Sequence, residues 1–172
     1  MCQFFSAIAL RNGDIIHDDA TDSHSDLILA FGLSDAENAN CQHFVKVEFT
    51  PESPDVMDEI DKYTLRVDEN ETPLWWEEVK ETVESKCRSA VKKMILTGEH
   101  KMILSGKYIL GKNCKVKTVK TSNIVAMLGS AKVGEMLGFT NVGEMWESSS
   151  VGEMRESSKV GVMRGSSSVG VM

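Results

Sequence analysis

The strongest constraint on this fold is a four-residue motif that returns every nine residues over the last third of the chain. The motif is Val-Gly-x-Met, and it starts at Val133, Val142, Val151, Val160 and Val169. A unit of nine residues is too short to bury its own apolar side chains, so neighbouring units must stack into one continuous core. The period therefore predicts a C-terminal β-solenoid.

The spacing inside the motif predicts the geometry of each coil. Side chains alternate along a flat strand, so Val and Met three positions apart both point inward only if the backbone bends between them. The glycine after each valine can supply that bend. Two units per turn would give a flattened coil of about 18 residues per turn. The pattern extends upstream through Ile124 and, with a one-residue slip, through Val116 and Val119. Roughly seven units then form barely four turns.

The methionine column allows two interpretations. Met and Val fill a narrow core in the simpler one, and a stripe of exposed Met and Trp faces a partner in the other. Calcium β-rolls are also built from nine-residue repeats, but their loops supply Asp ligands. The residues from 113 onward contain no Asp, so we expect no calcium here and no other cofactor.

Charge is unevenly distributed along the chain. Residues 1–71 contain sixteen acidic and four basic side chains, whereas residues 72–115 contain five acidic and nine basic ones. An acidic field repels nucleic acid and attracts basic surfaces, which include the nucleic-acid groove of another protein. The alternative is that acidic loops only keep the chain soluble.

Residues 1–112 predict an α+β domain with an antiparallel sheet, followed by the solenoid over 113–172. Asn12-Gly13 is a hairpin signal, and Ser23 suits the N-cap of a short helix that closes near Gly32. A longer helix should start after Pro73 with one apolar face. That face comprises Trp76, Val79, Val83, Cys87, Val91 and Met94. Further strands are predicted over 43–50, 63–68, 102–104 and 108–110.

Two groups of residues are candidates for chemistry. The first is a polar cluster within residues 17–26. A helix cap explains this cluster more simply than a metal site or an acid–base pair does. The second is Cys2, which would become an amino-terminal nucleophile if Met1 were removed. Four widely spaced cysteines indicate neither a zinc site nor a disulfide framework. The cluster comprises His17, Asp18, Asp19, Asp22, His24 and Asp26, and the cysteines are Cys2, Cys41, Cys87 and Cys114.

Two resemblances accompany these patterns. Residues 1–4, Met-Cys-Gln-Phe, are similar to the start of amino-terminal-nucleophile glutamine amidotransferases. Residues 21–26 and 44–51, together with the Ser-Ser-Ser-Val-Gly-x-Met units, resemble a group of gut-bacterial and phage proteins of uncharacterised function. The second resemblance covers nearly the whole chain. It implies the two-part architecture and a mobile-element setting, and it assigns no activity.

We therefore predict a non-enzymatic, cytoplasmic interaction protein, and more specifically a phage-encoded inhibitor of a host defence nuclease of the anti-CRISPR kind. It would bind a basic protein surface without contacting nucleic acid or membrane, and it would self-associate through the solenoid end. One alternative is a small hydrolase or transferase that uses Cys2, or His24 with Asp22. The other is a self-assembling structural protein. The predicted partner-binding residues are Asp18, Asp19, Asp22, Asp26, Trp146, Arg155 and Arg164.

Overall fold

The chain folds into two compact units in the computed structural model, which describes residues 4–34 and 42–171. The first unit comprises residues 1–52 and 60–92, and the second comprises 53–59 and 93–172. Seventeen acidic and eight basic residues give the first unit a net charge of −9, whereas the second carries +2. The two units therefore differ in the sign of their charge.

The first unit contains a four-stranded antiparallel sheet, as the sequence predicted. Its strand order is β2-β1-β3-β4. The turn between β1 and β2 forms at Asn12-Gly13, where Gly13 has a φ of 80° and the Leu10 amide donates to the Asp14 carbonyl at 2.8 Å. The predicted hairpin is confirmed. The strands are β1 (Ser6–Leu10), β2 (Ile15–Ile16), β3 (Phe44–Pro51) and β4 (Tyr63–Val67).

One short and one long helix accompany the sheet in the described residues of the first unit. Helix α1 (His24–Ala30) begins after Ser23, whose hydroxyl accepts a hydrogen bond from the Asp26 amide. Helix α2 (Trp76–Met94) buries the predicted face, with Val79 half-buried and the other five residues buried. Among the described residues, single 3₁₀ turns lie over Ile60–Lys62 in the first unit and over Pro54–Val56 in the second.

Large side chains fill the core of the first unit. Phe44 packs with Ile8 and Leu27 in one cluster. Phe49 stacks on Tyr63 with ring centroids 5.3 Å apart, and the Arg88 guanidinium lies 5.3 Å from the Phe49 centroid. Each of these contacts is made once, between residues far apart in sequence.

The second unit is a β-solenoid of about four turns with a repeat of about 18 residues. Its ten strands form two parallel five-stranded sheets, called here the even sheet (β14-β12-β10-β8-β6) and the odd sheet (β13-β11-β9-β7-β5). The sheets begin at Ile95, so three of the strands precede residue 113. The strands are β5 (Ile95–Leu96), β6 (Glu99–Ile103), β7 (Lys107–Leu110), β8 (Lys115–Lys120), β9 (Asn123–Met127), β10 (Lys132–Leu137), β11 (Asn141–Met145), β12 (Ser150–Met154), β13 (Lys159–Met163) and β14 (Ser168–Val171).

Val and Met of one motif both point into the solenoid core. Val133 is 2% exposed and Met136 is fully buried, while Gly134 between them is exposed. Met127 and Met145 are also fully buried, which confirms the core interpretation of these methionines. These three methionines fill the space between the two sheets in the middle of the stack, whereas Met163, nearer its distal end, is 45% exposed.

The glycines of the motif are required because adjacent coils approach closely. A β-carbon at Gly134 would lie 2.5 Å from the Lys117 carbonyl oxygen, and one at Gly143 would lie 2.7 Å from that of Val125. No side chain fits at such distances. The glycine therefore belongs to the contact between successive coils.

The corners of the solenoid also repeat every nine residues. At five positions spaced nine residues apart the φ angle is positive, between 54° and 67°, and three of these positions are glycine and two are glutamate. This left-handed conformation favours glycine and strains glutamate. The Glu156 carboxylate accepts a hydrogen bond from the Gly138 amide at 2.6 Å, which joins one corner to the corner 18 residues earlier. The five positions are Gly129, Gly138, Glu147, Glu156 and Gly165.

Candidate interaction surfaces

The predicted acidic residues lie on an exposed loop and at the start of α1. Asp18, Asp19 and Asp26 are exposed, and Asp22 is half-buried. Hydrogen bonds fix this loop: the Asp18 carboxylate accepts from the Ala20 amide at 2.7 Å, and that of Asp26 accepts from the Thr21 hydroxyl at 3.0 Å. The loop therefore presents its carboxylates from a defined backbone.

His24 is buried and its ring is engaged on both sides. Nδ1 lies 3.1 Å from Oδ2 of Asp68, and Nε2 lies 3.0 Å from the carbonyl oxygen of Val47. Both nitrogens thus face acceptors of the same unit, and this arrangement connects α1 to β3. A general base needs a nitrogen within reach of a substrate proton. The geometry of His24 therefore fits a structural role better than an acid–base role with Asp22.

The other candidates for chemistry are cysteines and a metal site. Cys2 and Cys41 lie outside the described residues. Burial raises the pKa of Cys87 to about 12 and that of Cys114 to about 11, so both thiols are protonated and poorly nucleophilic at neutral pH. Within residues 4–34 and 42–171, His, Cys, Asp and Glu form no group of three that could hold a metal ion.

Trp146 and Arg164 come together on the odd-sheet side of the solenoid, and Arg155 does not join them. The Arg164 guanidinium lies 4.8 Å from the Trp146 ring centroid and 3.6 Å from the Glu144 carboxylate. Arg155 follows the even-sheet strand β12 and binds Glu153 through two hydrogen bonds of 2.7 and 2.9 Å. This pairing lowers the pKa of Glu153 and raises that of Arg155. The predicted three-residue face therefore divides into two separate pairs.

A basic surface on the even sheet was not anticipated from the sequence. Residues 93–132 contain eight lysines and a single acidic residue, Glu99. Four of these lysines lie on neighbouring strands around a concave surface of about 470 Å³. They are Lys101 on β6, Lys115 and Lys117 on β8, and Lys132 on β10, and together they are called here the lysine face.

The register of the strands pairs lysine with lysine. Lys115 lies directly opposite Lys132. His100 on β6 is paired with Val116 on β8, so the next residues on the two strands, Lys101 and Lys117, also lie side by side. The signal in the sequence was the density of lysine over 93–132. The four glutamates within residues 77–84 offset these lysines in the net charge of 72–115, and three of the eight lysines lie beyond residue 115.

Comparisons with protein-family models, with curated proteins and with solved structures gave no match. In the described part of the chain, no helix has both the length and the apolar character needed to cross a membrane. The functional proposals for this chain therefore depend on its own residues and their geometry.

Proposed function

We propose that this chain is a non-catalytic interaction module whose first unit binds a basic surface of a protein partner. The observation that carries the proposal is the exposed set of carboxylates on a loop held by its own hydrogen bonds. Asp18, Asp19 and Asp26 belong to a unit with a net charge of −9. A loop that is already ordered loses little conformational freedom on binding, so more of the electrostatic attraction contributes to affinity.

The catalytic candidates in the described part of the chain are engaged within the fold or poorly reactive. His24 uses both ring nitrogens within its own unit, and the two described cysteines have raised pKa values. The enzyme alternative based on Cys2 stays a prediction. Replacing Cys2 with Ala would abolish the activity of such an enzyme and would leave a binding surface intact.

The most specific form of the proposal is an inhibitor of a host defence nuclease. A nucleic-acid groove is a basic surface, and acidic side chains of another protein can occupy it in place of phosphate. The resemblance to phage proteins supports this partner class. Asp22 would contribute to the same field from its half-buried position at the start of α1.

Charge neutralisation on the loop tests this proposal. The variant Asp18→Asn, Asp19→Asn, Asp26→Asn keeps the shape of the loop and removes three charges. The matched control Glu77→Gln, Glu78→Gln, Glu81→Gln removes three exposed charges from α2 of the same unit. Affinity capture from a bacterial lysate, read by mass spectrometry, identifies the partner, and titration of that purified protein measures binding.

We expect the loop variant to weaken binding at least about tenfold, because electrostatic contacts at an interface contribute more than one kcal/mol when several charges act together. The control should bind nearly as well as the original chain. Equal losses in both variants would show that only net charge matters, and a partner without a basic surface would contradict the proposal.

A further inference from the structure

We propose that the lysine face of the solenoid binds the phosphate backbone of nucleic acid without sequence preference. This inference concerns the second unit and does not rest on the function proposed for the first. It departs from the expectation, drawn from the overall acidity, that the chain makes no direct contact with nucleic acid.

Two like-charged pairs face each other across the strands of the even sheet. Lys115 is opposite Lys132, and Lys101 is beside Lys117. Strands in a sheet lie about 4.8 Å apart, and like charges directly opposite one another are destabilising. An anion placed among these ammonium groups relieves the repulsion. The fold therefore favours an anionic ligand at this position.

Three of the four lysines are available to such a ligand. Glu99 forms an ion pair with Lys115, with the carboxylate 3.0 Å from Nζ. In residues 4–34 and 42–171, Lys101, Lys117 and Lys132 form no hydrogen bond or ion pair through their ammonium groups. These ammonium groups can therefore neutralise the charge of a bound anion and donate hydrogen bonds to it.

Glycine makes the surface next to the lysines accessible. Gly134 lies against Lys117 on the neighbouring strand, and Gly152 lies against Gly134 one coil further. Neither glycine carries a side chain that would keep a ligand away from the backbone. A chain of phosphates can therefore lie across bare backbone beside the lysines. Along one strand, Lys115 and Lys117 are separated by about 6.6 Å, the rise of two residues.

The composition of the face favours nucleic acid over an acidic protein. Protein interfaces are enriched in aromatic residues, Met and Arg, and depleted in Lys. The lysine face contains none of the enriched types, and its cavity is lined otherwise by Glu99, His100 and Val116. Phosphate contacts need only cationic groups and carry no sequence information. We therefore infer binding to the backbone rather than recognition of bases.

Fluorescence anisotropy with a labelled oligothymidylate, measured over a range of salt concentrations, tests the inference. If the three available lysines each neutralise one phosphate, the logarithm of the association constant should fall against the logarithm of salt with a slope of about −2 for a single strand. The variant Lys101→Gln, Lys117→Gln, Lys132→Gln should bring the slope close to zero and weaken binding at least about tenfold at low salt. A mixed-sequence oligonucleotide should bind equally well.

The matched control is Lys80→Gln, Lys92→Gln, Lys93→Gln, which makes the same change in net charge on exposed positions of α2. It should keep both the affinity and the slope. The single reversal Lys117→Glu should weaken binding more than Lys117→Gln.

Three results would overturn the inference: no binding at low salt, equal losses in the variant and its control, or binding of polyglutamate with the same affinity and the same dependence on the lysine face. The last would make an acidic protein surface the ligand.

Discussion

The two units bury apolar surface in different ways. The first unit depends on large buried side chains, such as Phe44, Phe49 and Trp76, whose contacts are not repeated elsewhere in the unit. The solenoid repeats a few residue types, and each coil contacts only its neighbours. A core made of unique contacts is expected to unfold as a whole, whereas a stack of coils can lose stability gradually along its length. The effect of a substitution in the solenoid on stability is therefore expected to depend on the position of its coil in the stack.

The methionine column makes this gradient visible. Met127, Met136 and Met145 are fully buried, whereas Met163 is 45% exposed. The first valine of the motif follows the same gradient, because Val142 is buried and Val160 is half-buried. Position along the stack, rather than residue type, determines burial here. Self-association through this end of the solenoid stays a prediction, which concentration-dependent sedimentation would test.

The largest expected effect comes from truncating a methionine side chain in the middle of the stack. Met145→Ala removes a fully buried side chain and should lower the free energy of unfolding by about 2–5 kcal/mol. Met163→Ala removes a half-exposed one and should cost less than about 1 kcal/mol. Denaturant titration followed by circular dichroism measures both. Equal losses would mean that the two methionines contribute equally to the core, which would contradict the gradient of burial along the stack.

A second contrast uses the two roles of glycine. A β-carbon at Gly143 would lie 2.7 Å from the backbone carbonyl of Val125, so Gly143→Ala forces two coils apart and should cost about 2–3 kcal/mol. Gly32 in the first unit has a φ of 63° but no atom within 4 Å of a β-carbon. Gly32→Ala should therefore cost only about 1 kcal/mol, from the left-handed conformation. Thermal unfolding of the two variants gives the comparison, and a smaller loss at Gly143 than at Gly32 would contradict it.

Periodicity made much of the solenoid predictable. The Val-Gly-x-Met repeat led to the correct architecture and to the repeat of about 18 residues, while the orientation of the methionines stayed open between two interpretations until the fold showed Met127, Met136 and Met145 to be buried. In the first unit, Asn12-Gly13 and Ser23 marked the hairpin and the helix start because turns and caps depend on local chemistry. These features are specified by neighbours in sequence, so they can be inferred without a three-dimensional structure.

The lysine face could not be predicted from the same patterns. It depends on which residue of one strand lies opposite which residue of the next, and the slip near Val116 changes that register. Lys132 pairs with Lys115, seventeen residues earlier, whereas later coils pair at eighteen. The opposing partners of His24 and the separation of Arg155 from Trp146 likewise depend on packing between distant segments.

The buried cysteines provide one reporter in each unit. Cys87 lies in the first unit and Cys114 in the second, and burial raises their pKa values from 9.0 to about 12 and about 11. A raised pKa means that the folded state prefers the neutral thiol, so this stability is present below about pH 9 and is lost as the pH rises through the folded pKa. The free energy of unfolding should therefore fall less steeply with rising pH in Cys87→Ala than in the original chain.

Thiol labelling at pH 8, located by mass spectrometry, should proceed only through opening of each unit, and immediate labelling of either cysteine would contradict its burial.

The smallest effect should come from the two glutamates at solenoid corners. Glu147 and Glu156 have φ angles of 54° and 58°, which strain any residue except glycine. Glu147→Gly relieves this strain and should raise the free energy of unfolding by up to about 1 kcal/mol. Glu156→Gly relieves the same strain but loses the hydrogen bond from the Gly138 amide, which is worth about 1 kcal/mol, so its net effect should be near zero. Chemical denaturation of the two variants measures the difference. If both glycines stabilised equally, the hydrogen bond from the Gly138 amide to the Glu156 carboxylate would contribute nothing, and the backbone hydrogen bond from the Ser157 amide to the Gly138 carbonyl, at 3.1 Å, would join these corners without it.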